Sequence, residues 1–486
     1  MRFNNFVIKS LRQQSGSAVI WNALGQYIVQ LCSLLTAAML GRLLVPGDFG
    51  LIGMICAVNA FLVLFANIGL TTTIIQHRDL DANDIGSLWS LALLLGMVVT
   101  VLLVAISPFV TYFFHEPRLL NVAIVIAPTL LFTALNQIPL GVLQRDFRFR
   151  AVAFSAVISA VGSSLIAIYL AWKGMGYWAL VIQLVIRCML NLVISTIMMG
   201  KWVFLRWDLA LYKRLYEFTG SLTGFQVVNY FHRNMDSLVI GRVLGVVSLG
   251  LYSRAYLMLT TWNSALSGVI MPVLHSSMAR RSDDLMALRR GYLEVVLCML
   301  WLSSPLMGII AGVAPLVIRI VWGQGWDGVV VPFFWLALAG MHQPIYGTVG
   351  SVFAARFQTK ALLYLGIVTT IFYCVAIFSG LQWGINGVAC AYSLMSHLLF
   401  LPTMYVLWCC ILKGGVLELM HVVLPPMGMG WIGLMLAKWF YHVIIYGDVT
   451  MEIVVICVVA FWFVALMFFL GRLVYPIVRK YTVNTD

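Results

Sequence analysis

Apolar residues in this chain come in long blocks, without the two-residue alternation of a half-buried strand. Fourteen such blocks can be drawn, from 17–41 at one end to 449–474 at the other. A helix of about 20 residues rises about 30 Å, the thickness of bilayer hydrocarbon. No water is present there to satisfy the backbone, so each block must bond within itself. The pattern therefore predicts an all-α polytopic membrane protein of about 14 spans.

Composition narrows the class further. Hydrophobic residues make up 62% of the 486 and charged residues 10%, too little polar surface to cover a soluble body of this size. The first sixteen residues are polar and basic, and no small-residue cleavage site follows the first apolar block, so no cleavable leader is expected. The net charge of +13 is spread over short connections. With a cytoplasmic N-terminus, 21 of the 30 Lys and Arg fall on the inner side and 6 on the outer. That is the positive-inside bias, and it predicts that both termini are cytoplasmic. Because topology accounts for the basic balance, no nucleic-acid partner is expected.

The blocks repeat. Gly41-Arg42-Leu43-Leu44 returns as Gly241-Arg242-Val243-Leu244, and Gly50-Leu51 as Gly250-Leu251, a shift of 241 − 41 = 200. Weaker matches follow at a shift of 210: Phe147 and Arg150-Ala151 with Phe357 and Lys360-Ala361. Six spans per copy keep both copies in the same orientation, a parallel repeat of the kind that builds transporters. The expected organisation is a six-helix bundle at 1–203, a linker at 204–218, a second bundle at 219–412, and two appended helices with a tail at 413–486. In the linker Leu205, Leu209, Tyr212 and Tyr216 share one side, which predicts an amphipathic helix on the inner membrane surface.

Polar residues within the spans are the candidate chemistry, because each is costly in hydrocarbon. In the seventh span Gln226, Asn229, Arg233 and Asp236 step by 3, 4 and 3 along one face. His232 is beside them, and Arg233 can pair with Asp236. The first span carries Asn22, Gln26 and Gln30 on one face. Two such stripes suit a hydrophilic cavity between bundles; hydrogen bonds between helices are the competing explanation. Arg187 lies mid-span with Gln183 and Asn191 on its face, and Arg254 sits where it can snorkel outward. Asn59, Asn67, Asn136, Gln137, Asn263 and Gln343 are lesser cavity candidates, and His342 and His397 are read first as packed hydrogen-bonding residues. Three intramembrane arginines against one aspartate favour an anionic cargo. Trp172, Trp322, Trp326 and Trp383 near outer span ends predict an interfacial aromatic belt.

Several classes drop out. There is no nucleotide-binding glycine loop, no zinc-type HExxH, and no metal-ligand spacing among the nine cysteines, so no cofactor, no metal and no catalytic activity are expected.

The residues Ser15-Gly16-Ser17, Trp21, Gly41 through Leu51, Ile74-Ile75-Gln76, Gln144 through Phe149 and Asn229 through Gly241 resemble the polysaccharide-exporter branch of the MOP (MATE-related) flippase superfamily. The likeness is to Wzx-type exporters of the colanic-acid kind and covers nearly the whole chain. It implies a flippase that moves an undecaprenyl-diphosphate-linked oligosaccharide across a bacterial inner membrane by alternating access, in contact with membrane lipid and with polysaccharide polymerase and export machinery. It also implies that Arg233 and Arg187 meet the diphosphate. Two other readings stand beside it: a multidrug exporter of the same superfamily, which would need free membrane carboxylates, and a membrane polysaccharide polymerase, which would need a large outer loop.

Overall fold

A computed structural model describes residues 2–67, 69–77, 80–200, 206–208, 226, 229–231, 233–280, 285–356, 358–444 and 471. The expected amphipathic linker, apart from 206–208, and the expected last span, apart from Gly471, lie outside the described residues. Among the described residues all regular structure is helical. Among the described residues nine stretches are long and apolar enough to cross a membrane, and a bent pair makes a tenth. One of the nine, Lys360–Ile411, has 52 residues, about twice what one crossing needs. It is divided at a 3₁₀ turn, Leu381–Trp383, and at Gly384 with φ of 66°. The chain is thus a multi-pass membrane protein.

Two compact units are present: Met1–Arg254 with Trp322–Gln324, and Ala255–Val321 with Gly325–Asp486. The first contains α1 (Arg2–Leu43), α2 (Pro46–Ala66), α3 (Leu70–Gln76), α4 (Ala82–Phe114), α5 (Leu119–Ile126), α6 (Pro128–Arg145), α7 (Phe149–Trp172) and α8 (Tyr177–Met199). It also holds the helical run 233–243 and the start of α9 (Gly245–Arg280). Asp81 starts α4: its carboxylate accepts from the backbone N–H of Asn83 and Asp84 at 2.7 and 2.8 Å, and Asp84 returns a bond to the Asp81 N–H. This satisfies the orphan donors of the first turn. The Asp84 N–H above all holds the Asp81 carboxyl below its ordinary range. Leu70 and Ile74 of α3, Leu88 and Ala92 of α4, and Ile138 and Val142 of α6 close into one buried cluster.

The sequence repeat has a physical counterpart inside this unit. A methyl group at Gly50 would lie 1.7 Å from the carbonyl oxygen of Val246, and one at Gly250 would lie 1.9 Å from that of Pro46. Pro46 and Val246 are themselves one repeat apart, 246 − 46 = 200. The two copies of the motif therefore cross backbone to backbone in a reciprocal contact, and only a residue without Cβ fits at either point. The outer glycines follow suit. Gly41 carries the ring of Trp322, and Gly241 carries that of Phe114. Each ring ends a helix, and the next residue, Gly323 or His115, turns left-handed with φ of 86° or 54°.

The second unit contains most of α9, then α10 (Leu285–Gly312), α11 (Ala314–Trp322, up to Val321), α12 (Val330–Gly340), α13 (Tyr346–Ala355), α14 (Thr359–Gly380), α15 (Gly384–Tyr405) and α16 (Val416–Ile444). Its core gathers Tyr292, Met299, Val352, Phe353, Phe400 and Trp408. Helix α16 packs along α10 through small residues: Gly308 faces the Gly430 carbonyl, and Gly312 faces Ala437. In lipid, close packing of small residues replaces the hydrophobic drive that would join helices in water.

Orientation is open to direct test. In a background without the nine native cysteines, single cysteines at 117, 325 and 447 should react with an impermeant thiol reagent from outside. Those at 80, 210, 285 and 482 should not. Labelling of position 210 from outside would rule out two six-span copies with cytoplasmic ends.

Candidate functional site

The seventh-span stripe divides in two. Gln226, Asn229 and Arg233 are exposed, whereas Asp236 is only 4% exposed. The Asp236 carboxylate accepts from the Tyr252 hydroxyl at 3.0 Å and from the Ser237 N–H at 2.7 Å. It does not pair with Arg233, and among the described residues Arg233 makes no ion pair. Tyr252 comes from α9, sixteen residues on, and sequence spacing gave no sign of it. The same helix is pinned by Tyr230, whose hydroxyl donates to the Ala57 carbonyl of α2 at 2.7 Å and whose ring meets Phe61 at 5.2 Å. Anchored from its buried side, the helix holds Gln226, Asn229 and Arg233 away from the core.

The other expected site residues fall in different settings. Gln26 is exposed on α1 and Gln30 is half-buried. The side chain of Asn22 and all of His232 lie outside the described residues. Arg187 is half-buried on α8 beside Cys188, whose thiol meets the Thr133 hydroxyl at 3.9 Å. Arg254 does not snorkel outward. Its guanidinium stacks 4.4 Å from the centre of the Phe49 ring and 5.5 Å from that of Trp322, and its buried Nε has no hydrogen-bond partner. The clamp holds a cation between aromatic faces, and no feature of the sequence brings Phe49, Arg254 and Trp322 together.

Most of the lesser candidates turn out to join helices. Gln137 donates to Asn67 at 2.9 Å and accepts from Thr71, Asn136 accepts from Ser195, and Asn263 donates to Gln343 at 2.9 Å. Asn59 keeps a buried carbonyl oxygen without a partner. The aromatic belt also needs correction: Trp172 and Trp383 are strongly exposed, but Trp322 and Trp326 are fully buried. A span-end position does not distinguish a ring facing lipid from one packed against a glycine.

The sequence pattern of a family described as polysaccharide biosynthesis protein matches residues 39–331, more than half of the chain. The chain belongs to this family. The match includes both copies of the glycine–arginine motif and the stripe at 226–236. The chain is 24% identical over 401 residues to the teichuronic acid biosynthesis protein TuaB of Bacillus subtilis (strain 168), covering 81% of this chain and 82% of that one. It is 23% identical to the lipopolysaccharide biosynthesis protein WzxC of Escherichia coli (strain K12), covering 79% of each. Its fold is shared with the lipid II flippase MurJ in an inward closed conformation, with a TM-score of 0.72, 13% identity, and 95% of this chain and 98% of that one covered. The expected place of the chain in the polysaccharide-exporter branch of the MOP flippases is borne out by these likenesses together.

Proposed function

We propose that this protein flips an undecaprenyl-diphosphate-linked oligosaccharide from the inner to the outer leaflet of a bacterial inner membrane, for exopolysaccharide or surface-polysaccharide synthesis. Membership of the polysaccharide biosynthesis family supports the cargo class, and the TuaB and WzxC likenesses point the same way. The observation that carries the site is the unspent charge of Arg233. Its guanidinium is exposed beside Gln226 and Asn229, and the nearby acid is satisfied elsewhere. A charge facing plain hydrocarbon costs several kcal/mol, about 3 or more by most scales. A wetted path offers it water, and a diphosphate offers it the bidentate partner that guanidinium geometry matches. The sugars and diphosphate cannot cross hydrocarbon unaided; the polyprenyl tail can stay in lipid while the polar head follows the stripe.

In this reading 1–203 and 219–412 are the moving bundles, 204–218 connects them, and 413–486 is appended. Both termini are cytoplasmic, and a polysaccharide polymerase with its export machinery takes up the product. Alternating access requires the two copies of the motif to part where they now cross. A methyl group at Gly47 would lie 3.8 Å from a Val247 methyl, so cysteines at 47 and 247 are within disulfide reach. Purified protein with these two cysteines alone should flip a fluorescent undecaprenyl-diphosphate oligosaccharide in liposomes when reduced, stop when oxidised, and recover on reduction. Flipping that persists at complete cross-linking would replace alternating access with a fixed groove. A reduced protein that flips no such lipid would remove the cargo assignment itself.

A further inference from the structure

The second unit contains a span that is broken, not merely bent. Asp327–Gly340 and Gln343–Phe353 meet at 54°, across a 3₁₀ turn whose Pro344 lacks a backbone donor. Broken spans are tolerated where freed polar groups find partners or line an aqueous or ion site. Here the break carries His342, 0% exposed.

Two imidazoles meet at this point. The ring centres of His342 and His397 are 4.6 Å apart, with the planes at 71°. His342 Nε2 lies 3.2 Å from the Ser396 carbonyl oxygen and 3.0 Å from its hydroxyl. His397 Nδ1 lies 2.9 Å from the Ser393 carbonyl oxygen. A carbonyl only accepts, so His397 Nδ1 bears its hydrogen, and the His342 hydrogen is assigned to Nε2, which faces the Ser396 carbonyl as well as the hydroxyl. The other two, His342 Nδ1 and His397 Nε2, are bare lone pairs, and both are buried without a hydrogen-bond partner. The Asn59 carbonyl oxygen and the Arg254 Nε are also buried without a partner. The two imidazole nitrogens differ in that they belong to contacting rings and each can take up a proton, in an interior where buried polar atoms are mostly satisfied.

The surroundings suit one positive charge and exclude two. Phe400 lies 4.6 Å from His342, and Trp431 lies 6.1 Å from His397, with ring faces available to a cation. The packed elements carry the phenols of Tyr256, Tyr292, Tyr346, Tyr373 and Tyr392. They also carry Arg289, Arg290, Glu294, Lys360, Glu418, His421 and Lys438. Among the described residues none of these charged groups has a hydrogen bond or ion pair to either imidazole. No carboxylate among the described residues lies within ion-pair distance of either imidazole. With no counter-charge there, a second proton so close to the first is strongly opposed.

We propose that His342 and His397 form a single-proton site at the break of this span. The assignment stands independently of the cargo, and its test needs none. Purified full-length protein in phosphatidylethanolamine–phosphatidylglycerol nanodiscs is stepped from pH 8 to pH 5, and protons bound per chain are counted. His342→Gln/His397→Gln, whose amides can still donate to the Ser396 and Ser393 carbonyls, should bind one proton fewer than the wild type. A difference of zero overturns the site, and a difference of two shows separate histidines and overturns the pairing. A wild-type measurement stands apart from any misfolding of the variant. With isotope-labelled imidazoles, the neutral-tautomer signals of the two rings should lose one ring's worth of intensity between them. Loss of both, or of neither, overturns the proposal.

Discussion

Arg233→Ala is expected to lower the flipping rate on the order of 100-fold while the protein still folds. Two charge-assisted hydrogen bonds to a diphosphate, at about 1.5 kcal/mol each, correspond to that factor. The fold should survive because Asp236 does not depend on Arg233: Tyr252 and Ser237 satisfy it. Arg233→Lys should fall between, roughly 10-fold down, since an ammonium keeps the charge and loses the fork. The comparison is made in liposomes with matched amounts of protein and with unfolding curves taken in parallel. A folded Arg233→Ala that flips at the wild-type rate would leave Arg233 no part in carrying the head group. Asp236→Asn should act through stability, because its carboxylate is the buried anchor of the same helix.

The largest loss of stability should come from one methyl group. Gly50→Ala and Gly250→Ala each drive a Cβ into a backbone carbonyl, at 1.7 and 1.9 Å. Overpacking a core costs roughly 1–3 kcal/mol when side chains can shift. Here the obstacle is main chain on the partner helix, so about 3 kcal/mol or more is expected for each, and the two values should be similar. Gly366 supplies the contrast. It lies within α14, and nothing stands within 4 Å of where its Cβ would be. Gly366→Ala should be neutral or stabilise by up to about 1 kcal/mol through helix propensity. Thermal unfolding in detergent reads all three. A Gly50→Ala protein as stable as the wild type would show that the two helices are not in backbone contact.

The spans were legible because one physical constraint, the hydrocarbon thickness, acts on every one of them and leaves its length in the sequence. The repeat was legible as well, but not its meaning. Nothing in Gly50-Leu51 and Gly250-Leu251 says that each glycine accommodates the other copy's carbonyl. Local spacing misled at Asp236, where the i, i+3 arginine is the nearer neighbour in sequence and the tyrosine of the next helix is the partner in space. Asn67 with Gln137 and Asn263 with Gln343 illustrate a different limit. A neutral polar residue in a span reads the same in sequence whether it bonds a helix or wets a path, and only the position of a second polar group decides. Arg254 and Trp322 were misjudged for a related reason. Both stand near the ends of apolar blocks in the sequence, where snorkelling and an aromatic belt are the ordinary outcomes, and their mutual contact comes from chain segments far apart.

The reciprocal glycine crossing has the form of a self-complementary interface, in which a local twofold axis makes each residue serve both sides. Between two separate identical subunits, any mutation there would count twice, and no charge could be placed on one side alone. Fusion into a single chain lifts that restriction. Arg254 stands where the first copy has Met54, 254 − 54 = 200, and its stacking partner Phe49 stands where the second copy has Leu249. The backbone about the axis is nearly symmetric, but the electric field is not. The two flanks of the axis therefore differ, a guanidinium on one and a thioether on the other, a difference that a true homodimer could not carry.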